Sequence, residues 1–445
     1  MDLPCSCPAL LVSAPASGQG KTTLATALAR LHTRRGRRVR AFKCGPDFLD
    51  PGWLELATGA AVHPLDLWMT GEADCRQRLH DAAREADLIV VEGVMGLFDG
   101  EPSAADLARR FGLPVLAVID AAGMAGTFGA VAHGLQHYRA GLPWAGVVAN
   151  RVAGERHARM LRESLAAPQD WLGALARNEA LALPERHLGL ARASELGDAL
   201  QRLEAAADAL AQTPLGRMDV GALERWQVRI PAAAVSAAPA PSLAGRTVAV
   251  ARDLAFCFIY QANLDTLRAL GAELVFFSPL ADAALPACDA LWLPGGYPEL
   301  HAAALAGNAG MRASIAAHVA AGRPIWAECG GMMALFEELA SSDGQVHPCW
   351  GVLPGRVTLH QRLAALGPQQ LHLAAGVLRG HTFHYSTCAT PLPPVARTAR
   401  PDASPAAAAG EAFYQHGPVR ASYFHAWFAS CPQAAASLFL PGAPA

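Results

Sequence analysis

Apolar positions fall into short runs separated by longer stretches of helical spacing. Ala9-Leu10-Leu11-Val12-Ser13 is the first run, and Leu24 to Arg34 then repeats apolar residues on one helical face. Runs at 38–43, 86–92, 114–120 and 146–150 continue the alternation. Such a pattern predicts βαβ units around a parallel sheet. Residues 155–230 read as mostly helical, with Leu203 to Leu210 amphipathic. Arg186-His187-Leu188-Gly189-Leu190 interrupts them, and His187 there reads as a structural or edge residue. From Ala232 to Gly245 small residues and prolines dominate, which predicts a linker. A second set follows, with runs at 247–251, 274–277, 290–293 and 324–327 and helices over 261–270 and 311–321. A late strand, 380–386, carries His381 and His384, which face either a cleft or the core. The expected class is α/β, with domains 1–231 and 246–445 joined by the linker 232–245.

Composition narrows the function. The chain is 52% hydrophobic and 17% charged with a net charge of −2, a globular balance without the basic excess of a nucleic-acid binder. No apolar run reaches the ~18 residues that span a membrane, and residues 1–7 lack the features of a signal peptide. Ten dispersed cysteines suit reduced thiols in a cytoplasmic enzyme. Cys5 and Cys7 have no second pair nearby to complete a zinc site.

Between the first strand and helix stands Ala14-Pro15-Ala16-Ser17-Gly18-Gln19-Gly20-Lys21-Thr22-Thr23. Strand, glycine loop, Gly-Lys-Thr and helix is the context of a P-loop. Backbone N–H groups around Gly18 and Gly20 cradle phosphates, Lys21 reaches the β/γ-phosphates, Thr22 holds Mg²⁺, and Thr23 completes the ATP-binding set. Pro15 replaces the usual first glycine. Ala16 stands where dimerising ATP switches carry an extra lysine. Asp47 and Asp50 lie in the turn-rich loop after the second run, and Glu92 ends the third at the position that binds Mg²⁺ directly or through water. Asp99 follows between Phe98 and Gly100. Each Asp can alternatively serve as a turn or cap residue. Asn150 lies where a nucleotide base is often contacted.

Ile325-Trp326-Ala327-Glu328-Cys329-Gly330-Gly331-Met332-Met333 reads as strand, elbow and helix, the helix running from Met332 to Leu339. Cys329 at the apex suits a nucleophile, with the helix N-terminus favouring its thiolate. The alternative is a buried cysteine at a strand end. Pro294-Gly295-Gly296-Tyr297 follows another apolar run and can supply backbone donors, and His425 lies well downstream as the distant base. This half resembles a class I, triad-type glutamine amidotransferase domain, which releases ammonia from glutamine.

Taken together, 43–51 (KCGPDFLDP), Leu65-Asp66, 92–100 (EGVMGLFDG), 186–190 (RHLGL), 294–299 (PGGYPE) and 327–331 (AECGG) resemble the cobyrinic/hydrogenobyrinic acid a,c-diamide synthase family of cobalamin biosynthesis, over nearly the whole chain. The resemblance implies a dethiobiotin-synthetase-like ATP domain joined to a cobBQ-type glutaminase domain. It implies ATP- and glutamine-dependent amidation of the a and c acetates of a corrinoid (tetrapyrrole) polycarboxylate through an acyl phosphate. Lys21, Lys43 and Mg²⁺ then neutralise the transferring phosphoryl group. Thr22, Asp47 and Glu92 are the metal candidates, while Asp50 and Asp99 position the substrate carboxylate or metal. Cys329 attacks L-glutamine, His425 moves the proton, and the N–H groups of Gly296 and Gly330 form the oxyanion site. Departures are Pro64 for the usual Asn, no His near Trp53-Leu54, Thr382 for a common Glu, and Trp427 where ordinary triads have Glu. The third triad member stays unassigned. Ni-sirohydrochlorin a,c-diamide synthase and cobyric acid synthase remain alternatives, as does an ATP-driven switch or scaffold with an inert glutaminase-like domain. The ring metal, the order of amidation and a homodimer are left open.

Overall fold

A computed structural model describes residues 4–178, 181, 183, 185–186, 189–190, 197–233, 238–401 and 410–442. His187 lies outside the described residues. The chain divides into two compact units, Met1–Val235 and Ser236–Ala445, so the boundary falls within the segment 232–245. No described helix is long and apolar enough to cross a membrane.

In the first unit, strands β1 (Cys5–Ser13), β2 (Val39–Cys44), β3 (His63–Leu65), β4 (Leu88–Glu92), β5 (Val115–Asp120), β6 (Trp144–Val152) and β7 (Trp171–Ala176) form a parallel sheet in the order β3-β2-β4-β1-β5-β6-β7. Alternate residues feed opposite cores. Leu11, Ile89 and Val91 pack with helices at 72–85, 104–111 and 127–137. Leu10, Val12 and Val90 pack with α1 (Lys21–Arg34), α2 (Asp50–Thr58) and a helix at 199–211. Both faces are therefore covered, which is why these strands read as continuous apolar runs. Because β1 sits between β4 and β5, the loops after β1, β2 and β4 gather at the carboxyl edge of the sheet, the usual ligand position of open α/β sheets.

Not all of 155–230 is helical. β7 pairs with β6, and β10 (Gln227–Ile230) runs antiparallel to the first residues of β1. A two-strand hairpin, β8 (Glu185–Arg186) and β9 (Gly189–Leu190), lies between them in sequence. The small residues of β7 and the shortness of β10 conceal the strand period.

The second unit holds β11 (Thr247–Ala251), β12 (Glu273–Phe277), β13 (Ala290–Leu293), β14 (Ile325–Glu328), β15 (Glu338–Ala340), β16 (Val346–Pro348), β17 (Arg356–Leu359), β18 (Ala365–Leu373), β19 (Gly376–His384), β20 (Ser386–Ala389), β21 (Ala396–Arg397), β22 (Ala412–His416), β23 (Val419–Ser422) and β24 (His425–Trp427). Its main sheet, β12-β11-β13-β14-β23-β22-β21, is parallel from β12 to β23 and antiparallel beyond. β18, β19 and β24 form a separate antiparallel sheet. The expected helix over 332–339 is shorter, Gly330–Leu335, because Glu338–Ala340 leaves it to pair with β16 and β17. Leu243, read as linker, is fully buried and its N–H donates to Leu270 O, so the linker's end belongs to this unit.

Candidate active sites

The loop from β1 to α1 turns through Gly18 (φ +75°) and Gly20 (φ +98°), conformations costly for any residue with a Cβ. A Cβ at Gly20 would also collide with the Asn150 amide, which donates from Nδ2 to Gln19 O at 2.9 Å. Asn150 thus braces the loop from the end of β6. Lys21, 8% exposed, donates to Ala16 O at 3.0 Å, which curls its ammonium back over the loop. Burial and the nearby Lys43 hold that ammonium below its ordinary range. Thr22 and Thr23 follow in the first turn of α1.

Register brings the opposing charges together. Lys43 on β2 is the direct parallel partner of Glu92 on β4. Its Nζ donates to Asp50 Oδ2 at 2.5 Å and Glu92 Oε1 at 2.9 Å and lies 3.8 Å from Asp47 Oδ2. Thr22 Oγ1 donates to the same Glu92 oxygen at 2.5 Å. Burial pushes the Glu92 carboxyl up to about 7 against the pull of Lys43, and burial with Asp50 lifts Asp47 to about 6. Burial would raise Asp50 too, but the ammonium of Lys43 overcomes it and holds Asp50 low. Lys43, expected to face phosphate, is therefore tied into a carboxylate cluster. Asp47 Oδ1 also accepts from the N–H groups of Leu49 and Asp50, and Asp99 Oδ2 from Gly96 N at 2.8 Å. Both are turn contacts, although Asp99 remains close enough to Lys21 to favour its charge.

Glu92 Oε2 is buried with no hydrogen-bond partner among the described residues. That orphaned oxygen belongs to the carboxylate that accepts from the Thr22 hydroxyl, and Asp47 flanks the same Lys43 ammonium, so the three supply hard oxygen donors of the kind that fit Mg²⁺. Among the described residues no group of three or more His, Cys, Asp or Glu could by itself hold a metal.

In the second unit, Cys329 follows β14 at φ +42°, an uncommon value for a residue with a side chain. The elbow is fixed at both ends: Cys329 N donates to Ser422 O at 2.8 Å, and its carbonyl accepts from Met333 N at 2.9 Å. A Cβ at Gly330 would lie 2.9 Å from N and O of Gly296 and from Cδ of Pro298, so the close approach of the two loops requires glycine. The two expected oxyanion donors thus lie together. The surroundings of the thiol, however, act against its ionisation. Burial and the Glu299 carboxylate push it well above its ordinary range, and the Gly330 N–H offsets only part of this.

His425 opens β24, three residues after the Ser422 carbonyl that anchors Cys329. Its ring lies against Gly295, where a Cβ would strike Cε1. His381, its cross-strand partner on β19, stacks on it with centroids 5.0 Å apart, and Phe258 meets it edge-on at 6.0 Å. Burial and the adjacent His425 keep His381 neutral. His425 Nδ1 stands 3.8 Å from Glu328 Oε2.

Two family models match. One described as a CobQ/CobB/MinD/ParA nucleotide binding domain covers residues 10–190, and one described as a CobB/CobQ-like glutamine amidotransferase domain covers residues 247–432. A hydrogenobyrinate a,c-diamide synthase of Stutzerimonas stutzeri is 56% identical over 98% of this chain and 99% of that protein. The chain belongs to the a,c-diamide synthase family. Another family member, the hydrogenobyrinate a,c-diamide synthase of Pseudomonas aeruginosa, is also 56% identical, over 98% of each chain. A cobyrinate a,c-diamide synthase of Herminiimonas arsenicoxydans is 48% identical over 97% of this chain and 96% of that protein.

Thr382, and Trp427 where ordinary triads have Glu, have local structural answers. Thr382 Oγ1 donates to Glu411 Oε1 at 2.9 Å, and His384 Nε2 lies 3.1 Å from that oxygen, so a carboxylate reaches this place from just before β22. Trp427 is buried and meets Tyr260 edge-on at 5.2 Å, filling core space. Sequence reading missed Glu299, Glu328 and Glu411. Burial pushes the Glu299 carboxyl up to about 7, and its Oε2 has no hydrogen-bond partner among the described residues. The signal for Glu328 was an acid at the end of an otherwise apolar strand.

Proposed function

We propose that this chain is an ATP-dependent, glutamine-hydrolysing carbon–nitrogen ligase that amidates the a and c acetate carboxylates of hydrogenobyrinic or cobyrinic acid. The observation that carries this reading is the 56% identity, along nearly the whole of both chains, with enzymes named for that reaction. The two separate polar sites support it, because the reaction needs one to activate a carboxylate and another to release ammonia.

A carboxylate does not exchange with ammonia until oxygen becomes a leaving group. Its attack on the γ-phosphorus of ATP gives an acyl phosphate and ADP, and ammonia then displaces phosphate. Lys21 binds and orients the phosphates, while Gly18, Gly20 and Thr23 hold the loop that receives them. Thr22, Asp47 and Glu92 are the residues that would hold Mg²⁺, which supplies charge neutralisation when bound. Lys43 holds Asp50 and Glu92 in place, and Asp99 keeps the turn beside Lys21 closed.

In the second unit burial disfavours the Cys329 thiolate, so attack is helped by a base. His425 takes the Sγ proton as Cys329 bonds to the glutamine carboxamide carbon, and N–H groups of Gly296 and Gly330 receive the oxyanion. Return of the proton to nitrogen expels ammonia and leaves a thioester, which water hydrolyses to glutamate.

The test is incubation with ATP, Mg²⁺, glutamine and, separately, hydrogenobyrinic acid, cobyrinic acid and Ni-sirohydrochlorin, reading product mass. Two amidations of a corrin ring support the proposal. Turnover of Ni-sirohydrochlorin alone reassigns the substrate, and ATP hydrolysis without amide formation favours a switch.

A further inference from the structure

We infer that Glu328 is the positioning carboxylate of the glutaminase site, supplying the third member of a Cys329–His425–Glu328 triad from the residue next to the nucleophile. The inference rests on the glutaminase reading above and names a residue to which that reading gives no role.

The geometry starts from the sheet. β14 and β23 are parallel neighbours with Glu328 opposite Ser422, and Cys329 N continues the pairing to Ser422 O. The chain turns after Ser422 and enters β24 at His425. One strand end and one turn thereby place Glu328 and His425 together. Their side chains are 2% and 1% exposed, with Oε2 3.8 Å from Nδ1. The other oxygen, Oε1, accepts from Trp326 Nε1 at 2.6 Å, a bond between residues on the same face of the strand. That bond and the Ala426 N–H hold the carboxylate, with Oε2 on the side of the imidazole. His381 covers one face of the ring.

A carboxylate that closes from this position onto Nδ1 favours the tautomer in which Nε2 is the basic nitrogen and stabilises the imidazolium formed when that nitrogen takes a proton. This matters because burial disfavours the Cys329 thiolate. The usual place for such an acid, two residues after the histidine, holds Trp427 in the core. Besides the Cys329 thiol that it serves, His425 has Glu328 and His381 against its ring. His381 is kept neutral by burial and by His425. Burial also raises the Glu328 carboxyl, and His425, the Trp326 N–H and the Ala426 N–H are what favour its anion.

The experiment compares Glu328→Gln with Cys329→Ala in the full-length protein, using glutamine or free ammonia as nitrogen source. Gln preserves shape and can still accept from Trp326. Expected for Glu328→Gln is a fall of about 10²-fold in glutamine-dependent kcat, smaller than in serine triads because a thiol needs less help, with KM for glutamine within about threefold. The acid limb of the glutamine-dependent pH profile moves to lower pH, since losing the anion makes the imidazolium less stable. Ammonia-supported synthesis and the melting transitions stay unchanged. A glutamine-dependent rate near that of the parent overturns the inference. So does a loss with an unmoved pH limb, or one matched by lower ammonia-supported synthesis or melting temperature, since each describes a purely structural residue. If Cys329→Ala keeps its glutamine-dependent rate, the glutaminase reading itself fails, a result separate from any behaviour of Glu328.

Discussion

Replacing Lys43 by Met keeps the length of the side chain and removes its charge. Lys43 and Glu92 are 2% and 0% exposed, and Asp50 is only 15% exposed in its side chain, so water cannot replace the ammonium around Glu92. Breaking a buried ion pair from one side costs about 3–5 kcal/mol. The first unit should then melt about 6–20 °C lower, at about 2–4 °C per kcal/mol for a domain of its size. The sign with pH follows from Asp50. Lys43 holds its carboxyl below the ordinary value, so in the parent it contributes stability that is present above the unfolded value and lost as pH falls through the folded one. Without Lys43, burial raises the same group, and the variant loses stability as pH rises above the unfolded value, by about 1.4 kcal/mol per pH unit per carboxylate until the full loss is reached. The gap between parent and variant is therefore small near pH 4 and largest above neutrality. Differential scanning calorimetry of the nucleotide-free protein measures it, and the transition that moves with added ATP marks the first unit. Adding Glu92→Gln to the variant should recover part of the loss. Equal melting of parent and variant at about pH 7.5, or a gap that widens toward acid, would refute the uncompensated-charge argument.

Other outcomes follow from the same geometry. Lys21→Ala should abolish amidation with glutamine and with free ammonia alike, and ammonia-supported product in that variant would remove the P-loop from the reaction. Asp47→Asn and Glu92→Gln should lose most synthesis, at least about 10²-fold, while glutaminase chemistry at Cys329 survives; parent-like synthesis would leave both acids as turn and core residues. Cys329→Ala should fail with glutamine yet amidate with concentrated ammonium at raised pH, where more ammonia is unprotonated. Because burial and Glu299 disfavour the Cys329 thiolate, its alkylation without glutamine should be slower than that of an exposed cysteine at neutral pH. Fast labelling would contradict that electrostatic assignment.

The P-loop was legible because its signal is local. Gly18 to Thr23 are contiguous, and strand and helix periods frame them. Lys43 was not legible as the centre of a carboxylate cluster, because Glu92 meets it only through the register of β2 with β4. The same holds for Glu328, whose partner arrives from the far side of the β14–β23 pair. Cys329 could be placed at its elbow from two glycines and an apolar run, but its protonation state could not. That depends on burial and on Glu299, which comes from another loop. β7 and β10 were not legible because a strand interrupted by glycine and alanine and a very short strand carry little periodic signal.

The central claim is that glutamine nitrogen reaches a corrin carboxylate activated by phosphoryl transfer. The most direct measurement supplies hydrogenobyrinic acid labelled with ¹⁸O in its acetate carboxylates together with [amide-¹⁵N]glutamine and ATP. It then reads both labels by mass spectrometry. One ¹⁵N in the product and one ¹⁸O in inorganic phosphate are expected for every amide formed. Amide formation with no ¹⁸O in phosphate would contradict that claim.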